Sequence, residues 1–352
     1  MPPRRAAHMR ALFASILALT TLAFSPASSQ TTALEGIPAY DHIAIIVLEN
    51  ENFAESWGPG SVATYLNSLR GVGVFAEQYY ATGHLSLTNY IALISGQPAN
   101  PLSGLDCLPA NLWLCVQPQS LYTGGRNLAD QLEEAGHTWK GYMDSMPEPC
   151  FHADYLPTAL PPDPYQGDSQ EEPAKDYADR HNPFIYFDDI VGNDERCKAH
   201  VRPYPELATD LAAEALPSFS FITPDTCHDG HDAPCSNGAP GGLISADAWL
   251  AAEVPDLLAY MTNHNGLLII TFDENGFTDL NGIGCCTGGP LGLPGFGGRI
   301  GLVAVGAGVT PGKVVGTKYD HMSLLRTIED SFGISEYLNN ARTARPMSDL
   351  FG

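Results

Sequence analysis

Two stretches of the chain are almost entirely apolar and rich in β-branched residues. Residues 43–48 read Ile-Ala-Ile-Ile-Val-Leu and residues 267–272 read Leu-Leu-Ile-Ile-Thr-Phe, with polar residues on both sides of each run. Apolar runs of about four to eight residues are typical of strands buried on both faces, as in a parallel sheet covered by helices. The pattern therefore predicts two central strands of an α/β protein.

Helical and strand-like patterns alternate along the rest of the chain. Helical spacing or propensity marks 61–69, 87–95, 127–135, 204–214, 246–263 and 321–332, and shorter strand-like runs occupy 74–78, 138–142, 218–222 and 300–305. This alternation predicts an α/β fold with a mostly parallel central sheet and helices on both faces. Ligands of such sheets bind beyond the carboxyl ends of the strands, so the residues after each strand are candidates for function.

Carboxylates, an amide and imidazoles follow three of the predicted strands. They are Glu49 and Asn50, then Asp225, His228, Asp229, His231 and Asp232, then Asp273 and Glu274. A single acid after a strand is most often a turn residue. Three such strand ends at one edge favour a metal site, and oxygen and imidazole ligands suit Zn, Mn, Fe, Mg or Ca. The predicted metal ligands are Glu49, Asn50, Asp273 and Glu274, whereas His228 and His231 also fit a phosphate pocket or an ordinary polar loop.

The segment His84–Tyr90, which reads His-Leu-Ser-Leu-Thr-Asn-Tyr, leads from a loop into a predicted helix. A helix N-terminus offers free N–H groups and a positive dipole end, which suits a phosphate. Ser86 at this point is either an N-cap, which is a common role of serine, or a nucleophile. A bound divalent metal activates a serine hydroxyl without a dedicated histidine base.

Charge and the N-terminal segment restrict the class and location of the protein. The 352 residues include 17 Lys and Arg against 40 Asp and Glu, a net charge of −23, which excludes a nucleic-acid binder because phosphates need clustered bases. Arginines precede an uncharged apolar run over 11–24 and a small-residue stretch over 25–30, the pattern of a secretory signal. The run is shorter than the about 20 residues that span a bilayer. We expect a signal peptide over 1–29, a secreted or periplasmic protein and no transmembrane segment.

The remaining residues, 30–352, are predicted to form a single catalytic domain. Residues from about 145 to 200 are rich in Pro, Asp and Tyr with little periodicity, so they are interpreted as a lid or substrate-selecting insertion rather than core. All eight cysteines lie in the exported part, which favours disulfides. The short separations indicate local Cys107–Cys115 and Cys227–Cys235 bridges that staple long loops. Pairing across loops is expected for Cys150, Cys197, Cys285 and Cys286, in a connectivity that stays open.

Five blocks of sequence occur in a characteristic order. They are Glu49-Asn50-Glu51-Asn52-Phe53, His84 to Gly96, Pro224 to Asp232, Ile270 to Glu274, and Tyr319 to Asp330. Together they resemble the phosphoesterase family that includes secreted acid phosphatases and phospholipase C enzymes, within the alkaline-phosphatase-like superfamily. The resemblance covers about residues 40 to 335 and implies an alkaline-phosphatase-like fold.

The resemblance also implies roles for individual residues. The divalent metal, of open identity and number, would be held by Glu49, Asn50, Asp273, Glu274 and the hydroxyl of Ser86. Ser86 would be the nucleophile, with His84 and His228 as further catalytic residues. Substrate contacts would come from Asn89, His231 and Asp229. Leu85 and Thr88 stand where the family usually has proline, which leaves Thr88 as a second hydroxyl, and Asp320 and His321 are expected to cap the closing helix.

These features predict a secreted, metal-dependent phosphomonoesterase of the acid-phosphatase kind that acts through a phosphoserine. Its substrate would be a small-molecule or lipid phosphate ester. A phosphodiesterase of the phospholipase C kind, with the same nucleophile, is the alternative. A non-catalytic metal-binding secreted protein is the third interpretation, and the presence of hydroxyl, carboxylate and histidine across the blocks argues against it.

Overall fold

The computed structural model describes Met1 and residues 34–100, 103–106, 125–152, 175–276, 284–289 and 293–352. Apart from Met1, the predicted signal peptide lies outside the described residues, and so does the predicted Cys107–Cys115 pair. None of the helices in the described ranges combines the length and apolarity that crossing a membrane requires.

Within the described residues, the central sheet has eight strands in the order β5-β4-β6-β1-β7-β8-β2-β9, and β3 pairs with β10 apart from it. The strands are β1 His42–Leu48, β2 Val74–Ala76, β3 Tyr79–Tyr80, β4 Trp139–Met143, β5 Val201–Pro203, β6 Phe219–Thr223, β7 Gly266–Phe272, β8 Leu302–Gly306, β9 Val314–Val315 and β10 Tyr319–Asp320. The neighbours from β5 to β7 are parallel, and β8 runs antiparallel to both β7 and β2. The prediction of a mostly parallel α/β sheet is confirmed.

The two continuous apolar runs form the middle of this sheet. β1 lies between β6 and β7 and pairs with both in parallel. All residues of β7 and all but the first of β1 are buried. Because the three strands run in the same direction, their carboxyl ends meet at one edge.

The helices of the described residues pack against one another in more than one group. They are α1 Phe53–Trp57, α2 Thr64–Val72, α3 Ser86–Ser95, α4 Leu128–Ala135, α5 Asp188–Val191, α6 Asp194–His200, α7 Glu206–Ala212, α8 Gly242–Asn263 and α9 His321–Ser331. α8 contacts α2 and α7, whereas α3 contacts α4 and α9. Every residue of α3 is buried, so this helix is enclosed on all sides. Its first residue, Ser86, therefore has a fixed position.

The segment interpreted as an insertion outside the core differs from that expectation where it is described. Residues 175–200 contain short helical turns, α5 and α6. Phe184, Ile185 and Phe187 in this segment are at most 1% exposed and belong to the main hydrophobic core. The sequence pattern did not reveal this packing, because short turns rich in Pro, Asp and Tyr have no helical or strand periodicity.

The described cysteines all lie in disulfides. Cys227–Cys235, at a sequence separation of 8, closes a short loop after β6 as predicted. Cys150 pairs with Cys197 across a longer loop. Cys285 pairs with its direct neighbour Cys286, which differs from the expectation of pairing across loops.

Candidate active site

Three neighbouring strand ends bring the predicted ligands to one place. Glu49 and Asn50 follow β1, Asp229 lies in the loop after β6, and Asp273 and Glu274 follow β7. Backbone bonds tie these ends together: Glu49 N donates to Asp229 O at 2.9 Å and Asp273 N donates to Leu48 O at 2.8 Å. Asn50 N donates to Asp273 Oδ1 at 3.2 Å. The sheet topology thus assembles carboxylates that lie far apart in sequence.

Ser86 begins α3 beside these carboxylates. Its Oγ donates a hydrogen bond to Glu49 Oε2 at 2.8 Å, and the residue is 2% exposed. Ser86 is not the N-cap, because Leu85 holds that position and the Asp106 carboxylate accepts the hydrogen bond of Leu87 N at 2.9 Å. Of the two roles open to Ser86 from sequence, the structure therefore removes the N-cap and leaves a hydroxyl directed at a carboxylate.

Glu274 anchors the loop that precedes Ser86. Its Oε2 lies 2.6 Å from His84 Nδ1, and both of its oxygens accept from Leu85 N at 3.1 Å. Leu85 has a φ of 77°, a left-handed conformation that is costly for a branched residue unless its surroundings hold it. The Glu274 carboxylate provides that support, so it fixes the loop where the family usually has proline.

Asn89 also holds this loop rather than facing an open space. Its Oδ1 accepts from Thr82 N at 2.9 Å and Gly83 N at 3.1 Å, and its Nδ2 donates to Gly83 O at 2.8 Å. The residue is fully buried. These contacts differ from the expected contact with phosphoryl oxygens. Thr88 likewise bonds to Ser103 Oγ at 2.9 Å, away from the carboxylates.

The carboxylates that follow the strands are buried and lie close to one another. Glu49 and Asp273 are 0% exposed and Glu274 is 1% exposed. Burial raises the pKa of Asp273 to about 7, and burial with the charge of Asp273 raises the pKa of Glu49 and of Glu274 well above the ordinary value. The negative charge of one ionised carboxylate opposes the ionisation of its neighbours. A cation placed among the carboxylates would offset this repulsion.

Unpartnered oxygens mark where such a cation fits. Among the described residues, the buried atoms Glu49 Oε1, Asn50 Oδ1 and Asp273 Oδ2 have no hydrogen-bond partner. Buried oxygens without partners are rare in folded proteins. An amide and carboxylates are the ligands that hard divalent cations prefer. The residues present therefore fit the divalent metal that the sequence predicts.

His181 lies in the same site, although sequence reasoning missed it. Its Nε2 is 3.3 Å from Glu49 Oε1 and its Nδ1 is 3.1 Å from Asp229 Oδ2. Ligand atoms of these three residues all lie within 4.8 Å of one another, which also suits a metal ion. Burial, followed by the charges of Arg180 and His231, lowers the pKa of His181 well below its ordinary value. A neutral imidazole is the form that can bind a metal.

His228 lies away from Ser86. Its Nδ1 is 3.0 Å from Asp144 Oδ2 and 2.9 Å from Asp225 Oδ1. Burial by itself would lower the pKa of His228, but these two carboxylates outweigh it and raise the pKa to about 10. The ring borders a cavity of about 1030 Å³ between α7 and α8. The structure thus does not bring His228 together with the carboxylates of β1 and β7.

The block Tyr319 to Asp330, which contains most of α9, contacts the strand end that carries Asp273. Asp320 Oδ1 accepts from Ser323 N at 2.9 Å, which caps α9 as expected. His321 Nε2 donates to the backbone oxygen of Asp273 at 2.7 Å, so its Nδ1 accepts from Tyr79 Oη at 2.9 Å. Burial lowers the pKa of His321 to about 4, which keeps the ring neutral. His321 thereby holds the strand end that carries Asp273.

Comparisons with known proteins agree with this geometry. The Phosphoesterase family profile matches residues 55–335, and the chain belongs to this family. The "Probable acid phosphatase" of Kluyveromyces lactis is 27% identical over 84% of this chain, and the chain spans 59% of that protein. The phosphatidylinositol-3-phosphatase of Mycobacterium tuberculosis is 26% identical over 91% of this chain and 86% of its own length.

The fold resembles that of a solved structure. A Vibrio parahaemolyticus protein of the alkaline phosphatase superfamily superposes with a TM-score of 0.51 at 16% identity, covering 85% of this chain and 67% of that one. Similarity at this level concerns the fold alone. The alkaline-phosphatase-like architecture implied by the five sequence blocks is confirmed.

Proposed function

We propose that this protein is a metal-dependent phosphomonoesterase that acts through a phosphoserine formed on Ser86. The observation that carries the proposal is the position of Ser86. Its hydroxyl lies at the start of a fully buried helix, 2.8 Å from a buried carboxylate at the end of β1. The positive dipole end of a helix start favours phosphate binding.

The metal would be held by Glu49, Asn50, Asp273, Glu274 and the Ser86 hydroxyl, with His181 and Asp229 beside them. When bound, a divalent ion lowers the pKa of a coordinated hydroxyl and offsets phosphoryl charge. The unpartnered oxygens of Asn50 and Asp273 support this assignment. The carboxylates carry the negative charge that retains such an ion.

In the proposed reaction Ser86 Oγ passes its proton to Glu49 Oε2, to which it donates a hydrogen bond, and attacks phosphorus, so that the bond from phosphorus to the leaving oxygen breaks. The leaving oxygen takes up a proton, for which protonated His84 is the candidate donor because its side chain is 25% exposed and is fixed by Glu274. Burial lowers the pKa of His84, so acidic pH favours this protonated form. Water then attacks the phosphoserine, which releases phosphate and restores the Ser86 hydroxyl. Glu274 and Asn89 hold the loop in place throughout.

A monoester is the favoured substrate. The names of both matched relatives describe phosphatases, one of them acting on a phosphorylated lipid, which supports a small-molecule or lipid phosphate monoester here. The phosphodiesterase alternative has no comparable support among these relatives. The N-terminal pattern and the disulfides among the described cysteines support a secreted or periplasmic location.

Turnover of p-nitrophenyl phosphate and of its bis-ester tests the proposal, with each assay run before and after chelation. We expect the monoester to be preferred and activity to be lost on chelation and restored by a divalent ion. Preference for the bis-ester would favour the phosphodiesterase. Activity that survives complete chelation would remove the metal from the mechanism, and an absence of both activities would favour a non-catalytic protein.

A further inference from the structure

Two large apolar side chains are exposed near each other in the loop that precedes β8. Leu293 is 60% exposed and Phe296 is 49% exposed. Isolated exposed apolar residues are common on protein surfaces. Among the described residues, however, no other two exposed large apolar side chains lie within four positions of each other in the sequence. Leu293 and Phe296 together form an apolar rim that the core does not explain.

Close backbone packing fixes the loop that carries the apolar rim. Phe296 N donates to Thr82 O at 3.1 Å. A Cβ atom on Gly295 would lie 2.6 Å from Thr82 O, and one on Gly297 would lie 2.4 Å from Gly83 O. Only glycine, which has no Cβ, allows two backbones to approach this closely. The apolar rim is thus held against the segment that leads into α3.

The same loop contacts the strand end that carries the predicted metal ligands. Asn275 directly follows Glu274 after β7, and its backbone N donates to Gly297 O at 3.0 Å. The Asn275 side chain also packs closely on Gly298, because a Cβ atom there would lie 2.1 Å from Asn275 Cγ. The loop before β8 therefore borders the active site at two places, the end of β7 and the approach to α3.

The Phe296 ring lies beside the residue that precedes His84. A Cβ atom on Gly83 would be 3.6 Å from both Cε2 and Cζ of Phe296. The His84 side chain is 25% exposed, and its Nδ1 lies 2.6 Å from Glu274 Oε2. In the proposed reaction His84 donates a proton to the leaving oxygen, so the leaving group starts beside this loop. An apolar leaving group can therefore contact the exposed ring of Phe296.

We propose that the apolar rim binds the leaving group and that the substrate is a phosphate monoester of a hydrophobic alcohol. An alkyl chain or aromatic ring that covers Leu293 and Phe296 removes apolar surface from water, and each buried methylene strengthens binding by about three- to fourfold. A rim that is already fixed loses little freedom on binding, which preserves this gain. A polyol phosphate has no apolar surface to cover the rim. The inference rests on the proposed function, because it concerns the leaving group of that reaction.

A series of n-alkyl phosphates tests the substrate class, with phosphate release as the assay. Ethyl, butyl and hexyl phosphate have leaving oxygens of similar basicity but increasing apolar area. We expect kcat/KM of the wild type to rise at least about 10-fold from ethyl to hexyl phosphate, because the further methylenes are partly buried. Glycerol phosphate should be no better than ethyl phosphate. A smaller rise across the series, or none, would overturn the inference.

The double variant Leu293→Ser/Phe296→Ser tests the assignment to the apolar rim. Because both side chains are exposed, the variant should fold, which circular dichroism checks. We expect it to lose at least about 10-fold in kcat/KM for hexyl phosphate and no more than about threefold for ethyl phosphate. Val314→Ser on β9 is the matched control, since Val314 is also exposed, and it should keep the dependence on chain length. Equal losses for the two esters would reject the assignment, and the single variants decide by the same criterion if the double variant does not fold.

Alkylphosphonates separate this inference from the proposed function, because their P–C bond is not hydrolysed. In calorimetry with a divalent ion present, hexylphosphonate should bind the wild type at least about 10-fold more tightly than methylphosphonate, and the double variant should lose this difference. Tight binding of benzylphosphonate instead would assign the rim to a ring, and weak binding of both would overturn it. If the wild type discriminates in this way but hydrolyses no ester, the proposed function fails while the apolar rim stands. If it hydrolyses ethyl and hexyl phosphate equally well, the rim fails while the proposed function stands.

Two further measurements identify other partners of the apolar rim. Sedimentation velocity shows whether the double variant converts a dimer into a monomer, which would assign Leu293 and Phe296 to contact with a second copy of the chain. Binding to phosphatidylcholine vesicles that the wild type shows and the double variant lacks would assign them to a lipid surface. Either result, found without an effect of chain length on soluble esters, would overturn the inference.

Discussion

The carboxylates around Arg196 and those at the candidate active site are both clustered, but their charge is balanced in different ways. Arg196 bonds to Asp130 Oδ1 at 2.9 Å, to Glu133 Oε1 at 3.0 Å and to Asp189. One guanidinium thus joins α4 and α5 to α6 and supplies the positive charge. That cluster is complete within the chain.

The active-site cluster differs, because some of its buried oxygens have no partner among the described residues. Asn50 Oδ1 and Asp273 Oδ2 accept no hydrogen bond there. Buried polar or charged groups without a partner are expensive, so a protein keeps them where a ligand supplies the partner. The comparison teaches that a cluster with unpartnered buried oxygens is the one suited to binding an ion from solution.

The largest expected effect is a loss of activity without a loss of folding. Ser86→Ala should fold and retain metal but lose at least about 1000-fold in kcat, which corresponds to about 4 kcal/mol in the barrier. Steady-state kinetics with p-nitrophenyl phosphate and elemental analysis check this. More than a tenth of wild-type activity in the variant would show that Ser86 is not the nucleophile.

The next effect concerns the complete cluster. Arg196→Gln leaves Asp130 and Asp189 without their cation and should lower the free energy of unfolding by about 3 kcal/mol. Added divalent ion should not restore this loss, and the folded variant should keep its kcat. Urea unfolding with and without metal measures it. Rescue by metal would contradict the difference drawn between the two clusters.

A substitution in the active-site cluster should have the opposite effect to Arg196→Gln, because it should weaken metal binding rather than the fold. Asp273→Asn should weaken metal binding about 100-fold, or about 2.7 kcal/mol, because a ligand charge is lost. Activity should fall with occupancy. In chelated protein the same change should not destabilise the fold, since burial already raises the pKa of Asp273 to about 7. Full metal occupancy in an active variant would remove Asp273 from the ligands.

The smallest expected effect is a change in stability with pH, and it comes from Glu329, a buried carboxylate outside both clusters. Glu329 Oε1 accepts from Leu338 N at 2.8 Å, and burial raises the pKa of Glu329 to about 8. Between its unfolded value, about 4.3, and about 8, the folded state holds a proton that the unfolded state has released, so stability falls as the pH rises.

Glu329→Gln keeps the acceptor and removes this titration. The variant should gain about 2 kcal/mol over the wild type as the pH rises from 6 to 8, from a maximum slope of about 1.4 kcal/mol per pH unit. Urea unfolding at both pH values measures the gain. A difference between the two proteins that does not change with pH would show that Glu329 is ionised in the folded state.

The fold was predictable from sequence because its central strands are buried on both faces. Such strands leave continuous apolar runs, and β1 and β7 show them within one residue of their observed bounds. The residues that follow them could be named for the same reason, since a parallel sheet collects its strand ends at one edge.

His181 and Arg180 could not be found in the same way. They lie in a 3₁₀ turn within a segment that has no periodicity, and they contact Glu49 and His231, which are distant in sequence. His228 shows the reverse: its place in a site block suggested catalysis, but its ring turns toward Asp144. The direction of a side chain in a loop depends on tertiary contacts that a motif does not contain.

The Cys227–Cys235 bridge has a consequence for how the protein is produced. The bridge encloses Asp229, His231 and Asp232, so residues that contact His181 and Arg180 lie on a covalently closed loop. In a reducing cytosol the sheet and Ser86 can form while this loop is held by noncovalent contacts alone, and its freedom increases. If the protein is exported as proposed, oxidation after export would act as a safeguard, because the complete site would be assembled only outside the compartment that holds the cell's own phosphate esters.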